Sequence, residues 1–233
     1  MSIELHRHEI HVDGSFTLTV QRAERLDVPI EAARPSSLGI LPIHRVAEHA
    51  TLPARVRRRG GFFVPLGRHE SFWLGLDAVR MHAVKVGLGR LDAISGSVWR
   101  TALSGGPRNY VVAPPPRAVF GVRSPDGSIR RFEFSEDPLR VVVFPLKRSV
   151  PEPSSPASPR PRFQHAFHPP DRAPAPEVPE NDPSRFGPAS WDARRSRRMT
   201  ISMVDPDEYH AATGDTLEPP PGASERYVPR LLP

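Results

Sequence analysis

The chain contains no cysteine. That removes disulfides, thiolate nucleophiles and every Cys-bearing zinc or iron–sulfur site, and it suits a reducing compartment. Lysine is scarce as well: Lys85 and Lys147 are the only two among 32 basic residues, so the formal charge of +6 is carried by arginine. Long apolar runs are missing. The opening MSIELHRHEIHVDGS has no apolar core of a signal peptide, and no later stretch reaches the length of a membrane span. The expectation is a cytoplasmic protein with no membrane partner. Walker-type loops, Gly-x-Ser-x-Gly elbows, His-Glu-x-x-His helices and Rossmann glycine patterns are all absent, and no cofactor is implied.

What the chain has in excess is proline, 30 in 233 residues. Proline interrupts helices and sheet ladders, so the ordered part is expected to be shorter than the chain. Twelve prolines fall between Pro151 and Pro188, among Ser, Ala and charged residues. Such a stretch buries too little apolar surface to offset its ordering entropy. It divides the chain into a β-rich domain at 1–150, an extended or disordered linker at 151–190, and a C-terminal segment at 191–233.

The first part reads as mainly β, a sandwich or barrel-like sheet with one or two short helices. Asp13-Gly14 sits between two alternating runs, and both positions can take positive φ, which predicts a hairpin. Further strand signals are FFVPL at 62–66, SFWLGL at 71–76, MHAVKVGLG at 81–89, YVVAPPP at 110–116, SIRRFEF at 128–134 and LRVVVFPL at 139–146. Gly87 and Gly89 fall on a strand and mark a bulge or close backbone approach. Thr51 to Gly61 predicts a short helix with Thr51 as N-cap and a glycine C-cap. The tail predicts a strand at 199–204, then a helix with Asp205 as N-cap, Pro206 at the first position, Glu208 completing a capping box and Gly214 as stop. Being short, this strand and helix are expected to dock on the β-rich domain, completing the sheet or capping an edge.

Candidate chemistry is sparse. A four-residue hairpin loop at 77–80 would set Phe72 opposite Lys85 and make Glu70 the diagonal neighbour of Lys85 on one face. Those two, with Tyr110 and Asp92, are the candidate acid/base residues; a structural ion pair is the competing reading. His6, His8 and His11 share one expected strand, and His6 and His8 one face of it, a candidate metal site or merely exposed histidines. Arg57, Arg58 and Arg59, and Arg194, Arg195, Arg197 and Arg198, are the basic clusters. They offer phosphate contacts, or a helix-dipole match in the first case and charged guards before a strand in the second. Pro114-Pro115-Pro116 and Pro219-Pro220-Pro221 could serve as polyproline ligands or stiff connectors.

The segments GGFFVPLGRHESFWLGL, HAVKVGLGRLDAISG, PRNYVVAPPP, DPSRFGPASWD and DPDEYHAATGDTLEPPP, in this order, resemble an uncharacterised family of bacterial and fungal proteins. The resemblance implies a shared fold of the two ends and supplies no reaction. Relatives follow the proline pair with Trp-Leu-Asp-Gly, where this chain has Ala118-Val119-Phe120-Gly121. The residues thus favour a non-catalytic interaction or scaffolding protein whose partner is another protein. An enzyme with a Glu/Lys site and a weak nucleic-acid binder are the alternatives.

Overall fold

A computed structural model of the chain describes residues 2–25, 35–151 and 186–218. The elements are β1 (Ile3–His6), β2 (Glu9–Val12), β3 (Phe16–Glu24), β4 (His44–Arg45), α1 (Ala54–Arg59), β5 (Phe62–Pro65), β6 (Glu70–Ala78), β7 (His82–Leu88), β8 (Leu91–Asp92), β9 (Val111–Ala113), β10 (Arg117–Val119), β11 (Gly121–Arg123), β12 (Ile129–Glu133), β13 (Leu139–Pro145), β14 (Arg197–Val204) and α2 (Pro206–Thr213). Two sheets form. The first runs β1-β2-β3-β6-β12-β11 with β10 also on β6; the second runs β4-β5-β14-β13-β7-β8 with β9 also on β7. The fold is mainly β, as the strand and turn signals imply. Among the described residues no helix is long and apolar enough to cross a membrane.

Period-2 alternation builds the core. Phe16, Leu18 and Val20 of β3 and Phe72, Leu74 and Leu76 of β6 face Val84, Val86, Val141, Val143, Met199 and Ile201 of the second sheet, all buried in one cluster. Phe72 and Phe132 stack within it, ring centroids 5.1 Å apart. The two ends of the second sheet are covered on the outer face too, so its strands are apolar on both sides there. At one end Ala83, Val142 and Phe144 lie under Tyr110 and Trp191. At the other, Phe63 and Val204 lie under Val56 of α1 and Tyr209 of α2.

Several expectations change. Residues 70–78 and 82–88 are not a hairpin: β6 pairs with β3 and β12, β7 with β13, and the chain leaves one sheet at Val79 to enter the other at His82. Glu70 and Lys85 are therefore not cross-strand neighbours. The Asp13-Gly14 turn is present, with φ of 51° and 62°, but a second turn at Arg7, φ 56°, splits the first run into β1 and β2. His8 thus sits in a turn, off the strand that holds His6. Thr51 does not cap α1; Pro53 stands at that position, and the Thr51 hydroxyl donates to Ala211 O at 3.0 Å. Pro114–Pro116 carry the chain from β9 in the second sheet to β10 in the first, a connector's place. Positions 152–185 of the linker and Pro219–Pro221 lie outside the described residues.

The tail strand neither caps an edge nor extends one. β14 lies inside the second sheet, antiparallel to β13 and parallel to β5. Its start is Arg197, so Arg197 and Arg198 belong to the strand rather than preceding it. The predicted capping box is present: Asp205 accepts from Glu208 N at 2.9 Å, and Gly214 closes α2 with φ 79°. Arg55 of the front part donates to both Glu208 carboxylate oxygens at 2.7 Å, seating α2. Packing also reaches back to Phe186, which meets the Trp191 ring at 6.0 Å.

Burial of Met199, Ile201 and Met203 contributes roughly 1.5–3 kcal/mol apiece. A chain ending at position 151 loses that burial and leaves β5 and β13 without their shared neighbour. It is expected to lack a cooperative thermal transition by circular dichroism and to aggregate on size exclusion. A truncated chain that melts as the full one does would contradict this.

Candidate anion-binding face

Two of the four acid/base candidates meet. β7 aims Lys85 away from the main core, beneath the 92–110 loop, where its Nζ lies 2.7 Å from Asp92 Oδ2 and 3.3 Å from Asn109 O. Asp92 Oδ1 accepts from Ile94 N at 3.1 Å and Ser95 N at 3.0 Å, and the Trp99 ring covers the ammonium at 5.0 Å. Gly87 makes this possible, since a Cβ there would run into the Trp99 ring. Burial pushes the Lys85 ammonium below its ordinary value, opposed by the hydrogen bond and charge of Asp92. Lys85 is 0% and Asp92 1% exposed. This pair ties the loop to the sheet and has no face open to a substrate.

Tyr110 and Glu70 are elsewhere. Tyr110 is buried and donates to Phe186 O at 3.0 Å, holding the start of the docked tail. Glu70 is ion-paired with Arg22 and accepts from Gly67 N at 3.0 Å. Arg22 also donates to Glu218 O at 2.5 Å, so this cluster fastens β3, β6 and the tail.

The histidines divide similarly. His6 bonds Glu4 at 3.3 Å, and His11 bonds Thr17 at 3.2 Å, on the exposed face of β1–β3. Among the described residues no group of three or more metal-ligating side chains is placed to hold an ion. Sequence reasoning passed over His44 and His49. His44 stacks on Phe63 at 5.3 Å and hydrogen-bonds the Tyr209 hydroxyl at 3.2 Å, while His49 Nδ1 pairs with Ala212 O at 3.0 Å. No local spacing joins these histidines to α2, some 160 positions downstream. Burial first, then the neighbouring His49 and His8, holds His44 below the ordinary histidine value against Asp215 and Glu48.

The basic clusters are the candidates that the fold gathers on a surface. Strand alternation turns Met199 and Ile201 to the core, so Arg198 and Thr200 face out; Arg140 of β13 pairs with Thr200 and faces out beside them. α1 packs over β14 at one end of this outer face, carrying Arg57, Arg58 and Arg59. At the other, Asp192 caps a 3-10 turn bearing Arg194 and Arg195, which packs on β13. Arg57 donates to Leu52 O and Arg59 to Glu136 O, both backbone acceptors. Among the described residues no carboxylate pairs with Arg57, Arg58, Arg140, Arg194, Arg195 or Arg198, whereas Arg22, Arg45, Arg55 and Arg68 each have one. Arg140, absent from the sequence candidates, could have been found only by knowing its register.

Lys85→Met alone strands a buried carboxylate and is expected to cost roughly 3–5 kcal/mol in urea unfolding. Pairing it with Asp92→Asn, which keeps the bonds to Ile94 and Ser95, should recover most of the loss; equal stability of all three proteins would refute the structural role. His44 generates a pH effect. Above the unfolded value of 6.5 both states are neutral; below it the unfolded chain takes up a proton that the folded one resists, so stability falls as pH drops. Urea midpoints between about pH 7.5 and about pH 5.5 should fall less in His44→Phe than in the wild type, and parallel curves would count against it.

The chain matches no family model, no curated protein and no solved structure, so the segment likeness described above brings it no activity.

Proposed function

We propose that this is a non-catalytic binding protein, working in the cytoplasm, whose partner is another protein presenting an acidic segment to the outer face of the second sheet. The observation that supports the reading is the placement along that face of Arg57 and Arg58 of α1, Arg140 of β13, Arg198 of β14 and Arg194 and Arg195 of the turn after Asp192, none of them paired with a carboxylate among the described residues. Guanidinium forks match carboxylates bidentately, and unpaired ones give a positive potential that steers an acidic partner. The enzyme reading loses its residues to structural work, since Lys85 and Asp92 are sealed and Glu70 is held by Arg22. A single-stranded nucleic acid would want exposed aromatic platforms among the arginines, but Trp191 and Phe63 are buried.

Polyglutamate should bind the protein at low salt and weaken as salt rises. The double reversal Arg140→Glu with Arg194→Glu should weaken binding by about tenfold or more with an unchanged melting curve. Unaltered binding by that variant, or no binding at low salt, refutes the reading, and tighter binding of duplex DNA than of polyglutamate replaces the protein partner with nucleic acid.

A further inference from the structure

The two neighbours of β14 do not flank it along its whole length. β13 pairs with Arg197–Ile201, but β5 pairs only from Ile201 onward. β5 cannot continue backward, because Gly60 and Gly61, with φ of 64° and 76°, turn the chain into α1. That turn passes tight against the strand: a Cβ at position 61 would collide with Thr200 O. The contact fixes which way the backbone points. In a strand the N–H and C=O of one residue share an edge and alternate with those of the next. With Thr200 O turned toward Gly61, the N–H and C=O of Arg198 point to the same edge, at a level β5 does not reach.

A notch of about 400 Å³ opens at this place. Ile3, Phe62 and Met199 give it apolar walls, and Arg45 and Arg198 line it with charge. The Arg45 guanidinium lies over the Phe62 ring at 5.3 Å and donates to Ile3 O at 3.1 Å, so it is held in place at the rim. Among the described residues its one carboxylate neighbour is Glu48, 3.9 Å away and well exposed. An edge that no strand among the described residues covers, an apolar floor and two cations thus share one small space.

Resting on the acidic-partner reading above, we infer that an extended segment of the partner protein adds to the open edge of β14 as a strand. Main-chain bonds to Arg198 supply the docking, as in other strand additions. Side chains of an added strand alternate between faces. Those on the outer face meet Arg198 and the arginines of α1 and are acidic; the one between them turns inward to Ile3, Phe62 and Met199 and is aliphatic. The occupant is an acid–aliphatic–acid segment. Arginines at an edge also serve to repel other strands, and that simpler role requires no ligand.

The test is fluorescence anisotropy on the full chain with a labelled peptide of alternating glutamate and valine. A second probe is the same peptide N-methylated at alternate backbone nitrogens, which removes strand pairing and leaves the charge and the protein's fold untouched. The unmodified peptide is expected to bind about tenfold or more tightly than the methylated one. Arg198→Pro, which deletes the edge N–H, should weaken binding further than Arg198→Gln, each variant's folding being checked by its melting curve. Equal binding of the two peptides overturns strand addition while the acidic-partner reading stands. Binding of polyglutamate but of neither peptide removes the notch as the site. Failure of every acidic probe leaves the arginines as guards and overturns both.

Discussion

A strand from the far end of the chain sits in the middle of the second sheet, and most of the molecule depends on it. β5 and β13 do not pair with each other; β13 pairs along one edge of β14 and β5 along part of the other, and β14 carries Met199, Ile201 and Met203 into the common core. Backbone donors and acceptors inside a sheet have no alternative partner once buried, so removing β14 would orphan a row of groups on two strands at once. α2 continues the same insertion. Its seat is made by Thr51, His49, His44 and Arg55, all from one short segment that runs into the first turn of α1. Front and tail are therefore joined through one sheet and one shared core among the described residues.

That insertion explains which parts of the fold were legible. Signals that act over a few residues were readable because their physics is local. Asp13-Gly14 takes positive φ in any hairpin, and the Asp205 to Glu208 capping box closes within one turn. The alternation of Phe72, Leu74 and Leu76 announced a core-facing strand for the same reason. Partner choice was not local. Between β6 and β7 lie only three residues, the length of a hairpin loop, yet the chain uses them to step from one sheet to the other. Nothing in Val79-Arg80-Met81 distinguishes the two outcomes, and the assumption of a hairpin carried Glu70 to Lys85 when their partners are Arg22 and Asp92.

The outer face of the second sheet shows how one arrangement gave two kinds of candidate. Where loops and helices cover it, polar groups are consumed by structure. Lys85 holds the 92–110 loop through Asp92, Tyr110 holds Phe186, and His44 holds Tyr209. Lys85 and His44 look chemically promising in isolation, because burial holds both below their ordinary proton affinity. The same burial closes these groups to a ligand. The uncovered middle has the opposite character, with Arg140 and Arg198 turned outward and paired with no carboxylate among the described residues.

The open edge follows from a mismatch of lengths. β14 runs for eight residues, while β5, its parallel neighbour, runs for four before the glycine turn into α1. A longer β5 would cover Arg198 but would take its residues from α1, whose Val56 closes the cluster over Phe63 and Tyr209. The helix that seats the tail and the strand that would seal its edge compete for the same segment at 54–61. The fold settles for the helix, which secures α2 and leaves half of one edge of its most important strand without a neighbouring strand among the described residues. An exposed edge of this kind invites either pairing or protection, and the arginines around it are suited to both.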